Sequence, residues 1–203
     1  MKKLLLIYFS IVFCSFNLLA QEIFEMKSTA VGFSGALHYG FTIWSSSDLD
    51  VDSEIGIHLG LKAGYGFSER IEAFLEYDLS IMFPEDEEFD AFPYKHIDIG
   101  ARYNFGSTIK AFRYYAEISG MYQKSTQDAV DTDTWEYLTL KMRGYGLSIG
   151  GGAKYHIKLP IAIIIGGRYS FGTFDNILID GYKYDYEFEA NSFRIYMGIE
   201  YYF

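Results

Sequence analysis

Histidines and carboxylates are the residues of this sequence whose spacing is suited to chemistry. His96 and Asp98 are two positions apart, so in a β-strand they share a face, where the carboxylate can orient the histidine as a general base. His38 and His58 occupy matching positions of two successive segments, and neighbouring imidazoles can bind a divalent metal ion or respond to pH. The alternative for His38 and His58 is the packing of polar side chains in the interior, which the sequence favours.

Three aspartates in alternation, Asp48, Asp50 and Asp52, resemble the start of an EF-hand calcium loop. The sixth position of that loop holds Ser53 instead of glycine, and the twelfth holds Leu59 instead of glutamate. The motif therefore fails on residue identity. From these patterns we predict no catalytic residue, no metal site and no cofactor.

Apolar and polar residues alternate along most of the chain, which is the pattern of β-strands. Aromatic residues, which suit pleated sheets, make up 19% of the sequence. In the sixth segment the apolar residues change parity at Gly144, which predicts a β-bulge there. The eight alternating segments are 31–43, 54–67, 71–83, 97–105, 112–123, 138–149, 161–171 and 193–203.

Short and long connections alternate between these segments, which indicates antiparallel neighbours with all long connections at one end. The short connections lie near residues 68–70, 106–108 and 158–160, and the long ones span 45–53, 84–93, 124–134 and 172–186. No linker or second domain is visible. The fold class predicted is all-β: an eight-stranded antiparallel up-and-down β-barrel.

Such a barrel is either soluble, with its apolar face inward, or transmembrane, with that face toward lipid. Three features favour the transmembrane form. The polar face is rich in glycine, the strands are long enough to cross a bilayer, and aromatic residues collect at both strand ends. At the short-turn end they are Tyr65, Phe67, Tyr103, Phe105, Phe112, Tyr114, Tyr155, Tyr201 and Phe203; at the other end, Trp44, Tyr77, Phe83, Tyr122, Trp135, Tyr137, Tyr169 and Phe171.

The N-terminus has the pattern of a secretory signal peptide. Lys2 and Lys3 precede an apolar run over residues 4–16, and Ala20 marks the expected cleavage site. We therefore predict a signal peptide over 1–20 and a barrel domain over 21–203. The alternatives are a membrane anchor, for which the run is short, and a lipoprotein acylation site at Cys14, where small preceding residues are missing.

The polar faces of the strands carry charges of both signs. In an eight-stranded barrel, side chains fill the interior, and buried charges are costly unless they pair. The sequence therefore predicts an interior plugged by salt bridges, and the alternative is a narrow gated channel. The predicted charge network comprises Glu54, Lys62, Glu72, Glu76, Asp78, Asp98, Arg102, Arg113, Glu117, Lys141, Arg143, Lys154, Arg168, Arg194 and Glu200.

The long connections are acidic, and the chain has a formal net charge of −10, which argues against nucleic acid as a partner. The acidic loops are interpreted as solvated segments that resist aggregation. The alternatives are divalent cations that bridge them to anionic lipopolysaccharide, or binding of a basic partner. The loop carboxylates are Asp48, Asp50, Asp52, Glu85, Asp86, Glu87, Glu88, Asp90, Asp128, Asp131, Asp133, Asp175, Asp180, Asp185 and Glu187.

These features resemble the small outer-membrane β-barrels of Gram-negative bacteria, of the OmpX or OmpA-transmembrane-domain type. The resemblance spans Ser28 to Phe203. It implies Sec export, insertion in the outer membrane as a monomer, contact with outer-membrane lipid and lipopolysaccharide, and a terminal aromatic signal read by the barrel-assembly machinery. Tyr201 and Phe203 stand where that signal belongs.

Fold does not fix activity, so the function stays open at this stage. The first hypothesis is a non-enzymatic barrel that serves envelope integrity or surface interaction. The second is a narrow channel for small solutes or hydrophobic compounds, and the third is a lipid-modifying enzyme. Outer-membrane lipid A deacylases of similar size use a His-x-Ser pair, and no such pair occurs in this sequence.

Overall fold

The computed structural model describes residues 30–48, 51–84, 91–130 and 137–203. The predicted signal peptide lies outside these residues. No helix within the described ranges is long and apolar enough to cross a membrane. The strands are β1 (Gly32–Ser46), β2 (Val51–Gly66), β3 (Ile71–Phe83), β4 (Phe92–Asn104), β5 (Phe112–Val130), β6 (Tyr137–Lys158), β7 (Ile161–Ile179), β8 (Tyr182–Tyr184) and β9 (Phe188–Tyr202).

The sheet closes on itself into an antiparallel barrel of eight strands. Strands β1 to β7 pair in sequence order, β7 pairs with β9, and β9 pairs with β1. The predicted fold class is therefore confirmed, with β9 as the predicted eighth strand. The short strand β8 is an addition that pairs with the end of β7, outside the barrel wall. Closure leaves no barrel strand with an unpaired edge, as a bilayer requires.

Several strands extend beyond the predicted segments. Strand β5 continues to Val130 and β7 to Ile179, through stretches predicted as long connections. We call the end of the barrel with these extensions the loop end, and the end with the short connections the turn end. Backbone hydrogen bonding continues through these extensions, as in the pairing of β5 with β6 up to Val130. Apolar and polar residues do not alternate regularly there, because neither face of the strand contacts lipid.

The outward face of the barrel is apolar. Side chains such as Leu61, Ile99 and Ile118 are exposed by 57%, 67% and 58%. On β6, ten residues separate the outward aromatics Tyr145 and Tyr155, which at a tilt of about 45° corresponds to about 23 Å of bilayer. An apolar surface of this extent is unstable in water and matches the hydrocarbon band of a membrane barrel.

The aromatic pairs at the turn end include Tyr65–Phe67, Tyr103–Phe105 and Tyr201–Phe203, with ring centroids 5.2, 4.9 and 5.0 Å apart. These rings face outward, as predicted. Trp44, predicted among the aromatics of the opposite end, is only 4% exposed and lies inside the barrel. Its even-numbered position gives it the parity of the inward-facing residues of β1.

A register shift lies at Arg143/Gly144, where the β-bulge was predicted, but the extra residue is Asp175 on β7 and not a residue of β6, since Arg143 pairs with Asn176 while Gly144 pairs with Phe174. Strand β6 keeps its alternation of inward and outward side chains across Gly144. Met142 consequently points inward, and it is 2% exposed. The apolar residues of the sequence change parity here because the inward side chains, which are polar or glycine nearer the turn end, become apolar at the loop end.

Candidate functional site in the barrel interior

The charged side chains of the interior form layers, and the first layer lies near the turn end. Arg102 Nη1 donates to Glu200 Oε1 at 2.7 Å and to Glu72 Oε2 at 3.2 Å. Lys154 Nζ lies 3.0 Å from Glu200 and 3.1 Å from Glu72. The hydroxyl of Tyr202 accepts from Lys154 at 2.7 Å and donates to Glu200 at 3.0 Å.

The second layer is centred on Arg168 and two glutamates. Arg168 donates to both oxygens of Glu76, at 2.7 and 2.9 Å, and to Glu117 at 2.5 Å. Lys62 Nζ lies 2.7 Å from each of the same glutamates. Arg102 Nε donates to Glu117 at 2.6 Å, which joins this layer to the first. Bidentate arginine–carboxylate pairs of this kind are among the strongest hydrogen-bonded contacts in proteins.

The third layer lies closer to the loop end. Arg194 donates through Nη1 to Asp78 and through Nη2 to Asp98, the latter at 3.2 Å. The hydroxyls of Ser119 and Ser148 donate to Asp98 at 2.8 and 3.0 Å. Arg168 Nη1 also lies 3.5 Å from Asp98, so all three layers are connected.

Within the described residues, this connected network contains six carboxylates and five cationic side chains, all 5% exposed or less. Such charges are stable in a barrel interior only because each has a partner of opposite sign. The members are Lys62, Glu72, Glu76, Asp78, Asp98, Arg102, Glu117, Lys154, Arg168, Arg194 and Glu200.

Four predicted members of the charge network lie elsewhere. Arg113 is buried at the turn end, where Nη2 donates to the Glu69 carbonyl at 2.5 Å. Glu54 is half-buried near the loop end, and its Oε2 atom has no hydrogen-bond partner among the described residues. Lys141 and Arg143 are exposed on the outside of β6. Their assignment to the interior was wrong because it placed the bulge at Gly144 on β6, whereas the extra residue lies on β7.

The proposed His96–Asp98 pair does not form. Neither ring nitrogen of His96 has a hydrogen-bond partner among the described residues, and its ring packs 4.2 Å from that of Tyr94. Asp98 is bound instead by Arg194 and two serines. His96 is 0% exposed, so it does not reach a substrate in solvent or lipid. By contrast, His38 and His58 do come together, with ring centroids 5.8 Å apart.

An apolar cluster fills the interior at the loop end, beyond the charged layers. This cluster was not predicted from the sequence, although the apolar residues at inward positions, such as Met82 and Met142, are its signal. The cluster packs on the loop-end side of the charged layers. Its buried members, which we call the apolar cap, are Trp44, Met82, Phe92, Tyr94, Met142, Phe174, Ile177, Phe188 and Ala190.

No protein-family model and no curated protein matches this sequence. Solved structures do match it. Neisserial surface protein A has a TM-score of 0.64 at 17% identity, over 85% of this chain and 97% of that one. OprG of Pseudomonas aeruginosa has a TM-score of 0.55 at 13% identity, over 85% and 98%. Ail, the attachment invasion locus protein of Yersinia pestis, has a TM-score of 0.52 at 14% identity, over 84% and 99%.

These similarities concern the fold. The chain has the fold of the small eight-stranded outer-membrane β-barrels. Its outward face is apolar, as the hydrocarbon region of a membrane requires. The charged interior contains the network of ion pairs described above.

Proposed function

We propose that this protein is an integral outer-membrane barrel that neither conducts nor catalyses, and that it serves envelope integrity through its outer surface. The observation that carries the proposal is the arrangement of side chains inside the barrel: three connected charged layers below an apolar cap. Export to an outer membrane of a Gram-negative bacterium follows from the same proposal, and it is supported by the apolar outer face and the structural neighbours.

The charged side chains cross the interior from wall to wall. Arg102 on β4 reaches Glu200 on β9, and Arg168 on β7 reaches Glu76 on β3. A solute that passed along the barrel axis would have to break these pairs. Breaking a buried pair costs about 3–5 kcal/mol, and the layers would have to open one after another. This cost favours a plug over the channel hypothesis.

Reconstituted into a planar bilayer, the protein is expected to show no steady unitary conductance, because ion pairs and the apolar cap cross its interior. Insertion is checked independently by protection of the barrel from protease in vesicles made from the same preparation. A barrel with Arg168 and Glu76 both replaced by alanine is the comparison, since it lacks the centre of the second layer. Steady unitary currents from inserted wild-type protein would contradict the proposal.

The absence of enzymatic activity is supported by the position of the histidines. The sequence has four, at 38, 58, 96 and 156, and all are inside the barrel with 6% exposure or less. No histidine therefore reaches lipid or solvent as a general acid or base.

A row of cations on the outside of the barrel supports contact with lipopolysaccharide. Lys95, Lys124 and Arg143 lie directly opposite one another on β4, β5 and β6. The row immediately below, toward the membrane centre, contains Tyr122 and Tyr145. Like charges on adjacent strands repel each other, so an anion between them is stabilising. Phosphate groups of the outer-leaflet glycolipid lie at this depth, where hydrocarbon gives way to headgroups.

A triple variant, K95Q/K124Q/R143Q, is expected to bind lipopolysaccharide roughly a hundredfold more weakly than wild type. Each cation near an anionic membrane surface contributes about 1 kcal/mol. Binding is measured by titrating lipopolysaccharide into the refolded barrel in neutral detergent. The matched control is R70Q/K110Q/K158Q, which removes three exposed cations from the turn end. Equal affinity for the two triple variants would exclude the row as a binding site.

The acidic loops extend this proposal to divalent cations that bridge the protein to the same glycolipid. Three of the described carboxylates have local partners: Asp48 accepts from the Glu189 N–H at 2.7 Å, Asp180 accepts from the Thr139 N–H at 2.9 Å, and Asp185 lies 3.5 Å from Lys183 Nζ. Asp175 and Glu187 remain as described candidates. Asp52 lies in β2 and Asp128 in β5, and the acidic residues at 50, 85–88, 90, 131 and 133 lie outside what the structure describes.

We also propose that the C-terminal aromatic is an assembly signal. Strand β9 ends at Tyr202, whose side chain is inside the barrel, and the Phe203 ring is 83% exposed at the turn end. Its partner ring is Tyr201, 5.0 Å away. An exposed aromatic pair at the last residues of the chain is available to an assembly factor before the barrel closes.

A further inference from the structure

Two histidines and an aspartate of the third charged layer converge inside the barrel. His38, His58 and Asp78 are 1%, 4% and 1% exposed. Each offers one ligand atom, and these three atoms all lie within 4.8 Å of one another. His38 Nε2 is 3.8 Å from Asp78 Oδ1, a separation close to that between two ligands of one metal ion.

The polar atoms of this cluster lack hydrogen bonds within the described structure. They are both ring nitrogens of His38, Nε2 of His58 and Oδ1 of Asp78. Most buried polar atoms in proteins have a partner, and each one left without a partner costs about 1–3 kcal/mol. Here the unpartnered atoms belong to three side chains that converge on one point, so a single bound cation would satisfy one atom of each.

A glycine provides the space for the cluster. Gly60 pairs with His38 on one side and with Asp78 on the other. A Cβ atom at this position would lie 2.0 Å from His38 Cε1 and 2.1 Å from Asp78 Oδ1. Any other residue would therefore displace both side chains.

Neighbouring residues orient the ligand atoms. Thr42 Oγ1 lies 3.3 Å from His58 Nδ1 and 2.9 Å from Ser80 Oγ. In the tautomer whose Nδ1–H donates to Thr42, the Nε2 lone pair of His58 is free to bind a metal. Asp78 uses Oδ2 for its contact with Arg194, which leaves Oδ1 for the cluster.

We propose that His38, His58 and Asp78 bind a divalent transition-metal ion of the zinc class. Two imidazoles and one carboxylate make a set suited to Zn²⁺ or Co²⁺, whereas Ca²⁺ and Mg²⁺ take mainly oxygen ligands. Glu76 Oε1, 3.5 Å from His38 Nε2, or a water supplies the fourth position. The ion would connect β1, β2 and β3. Because the site is buried beneath the apolar cap, the ion enters during folding, before the barrel closes.

The test uses full-length mature protein without a polyhistidine tag, refolded into detergent micelles in the presence of Zn²⁺ or Co²⁺. After chelator treatment and desalting, metal analysis is expected to find one ion per barrel, and Co²⁺ to give the visible absorption of a tetrahedral site. Metal added after refolding is expected to bind far less. His38→Gln and His58→Gln are each expected to retain at least tenfold less metal.

The matched control is His156→Gln. His156 is also buried, and both of its ring nitrogens are without hydrogen-bond partners in the described structure, but it lies at the turn end beside Tyr202. This variant is expected to retain metal as the wild type does. Wild-type protein that retains no ion after refolding with metal would overturn the proposal, whether or not the variants fold. Equal retention by His38→Gln, His58→Gln and wild type would also overturn it.

Discussion

Replacing Arg168 with methionine is expected to lower the free energy of unfolding by about 3–5 kcal/mol, the cost of leaving buried charges without their partner. Arg168 is 1% exposed and donates to both oxygens of Glu76 and to Glu117. Methionine fills much of the same volume, so the loss reports the missing charge more than a cavity. Lys62 would still contact both glutamates, and Arg102 would still donate to Glu117, so Glu76 loses the larger share of its partners.

The measurement is reversible urea unfolding of the barrel in detergent micelles or thin vesicles, with the free energy extrapolated to water. Arg143→Met is the matched control, since it makes the same chemical change on the exposed outer surface of β6. Its effect is expected to stay within about 0.5 kcal/mol. Equal losses in the two variants would show that the interior pairs do not stabilise the barrel.

A double variant distinguishes the loss of the Arg168–Glu76 attraction from the cost of burying the Glu76 carboxylate without Arg168. Adding Glu76→Gln to Arg168→Met neutralises the carboxylate that accepts two hydrogen bonds from Arg168 in the wild type. Part of the lost stability is expected to return, because the neutral amide is cheaper to bury than an unpaired carboxylate. A further loss in the double variant would indicate that Glu76 is stabilised mainly by Lys62 and His38, its other close neighbours.

The barrel was predictable from sequence because lipid imposes one requirement on every strand. Each residue that faces hydrocarbon must be apolar, and a period of two follows wherever the strand crosses the membrane. Segments such as 71–83 therefore match β3 at both ends. Beyond the membrane the requirement disappears, so the continuation of β5 to Val130 left no comparable pattern.

The sequence indicates which charged residues face the barrel interior, but it does not indicate which of them contact each other. Parity places Arg102 and Glu200 inside the barrel, yet they are 98 residues apart in sequence. Their contact depends on barrel closure and on the stagger between strands, which no local pattern encodes. The third partner, Tyr202, was outside the predicted network because it carries no charge at neutral pH.

The errors at the loop end have a common physical cause. Inward positions were expected to be polar along the whole barrel, so apolar Met142 was assigned to the outside and Arg143 to the inside. The interior becomes apolar at this level, where the apolar cap replaces the ion pairs. Alternation of apolar and polar residues distinguishes the lipid-facing side of a strand from its interior side only where the interior is polar. Once the interior also contains apolar residues, the pattern no longer shows which side faces lipid.

Phe203→Ser is expected to reduce assembly of the barrel in cells severalfold while leaving the purified protein able to refold. The substitution removes the exposed ring but keeps the backbone N–H, which donates to the Phe33 carbonyl at 2.9 Å. The folded barrel loses mainly the aromatic pair with Tyr201, worth about 1 kcal/mol. Assembly is measured as the fraction of protein in the outer membrane that keeps compact, heat-modifiable migration in gels.

Phe105→Ser is the matched control, because Phe105 occupies the same environment at another strand end. Its ring is 46% exposed and lies 4.9 Å from that of Tyr103, and its N–H donates to the Tyr114 carbonyl at 2.8 Å. The two variants are expected to refold in detergent with similar unfolding free energies, since they lose similar contacts. Only the terminal ring is expected to affect assembly in cells. Similar cellular yields for Phe203→Ser and Phe105→Ser would mean that the last residue is an interfacial anchor without a role in recognition.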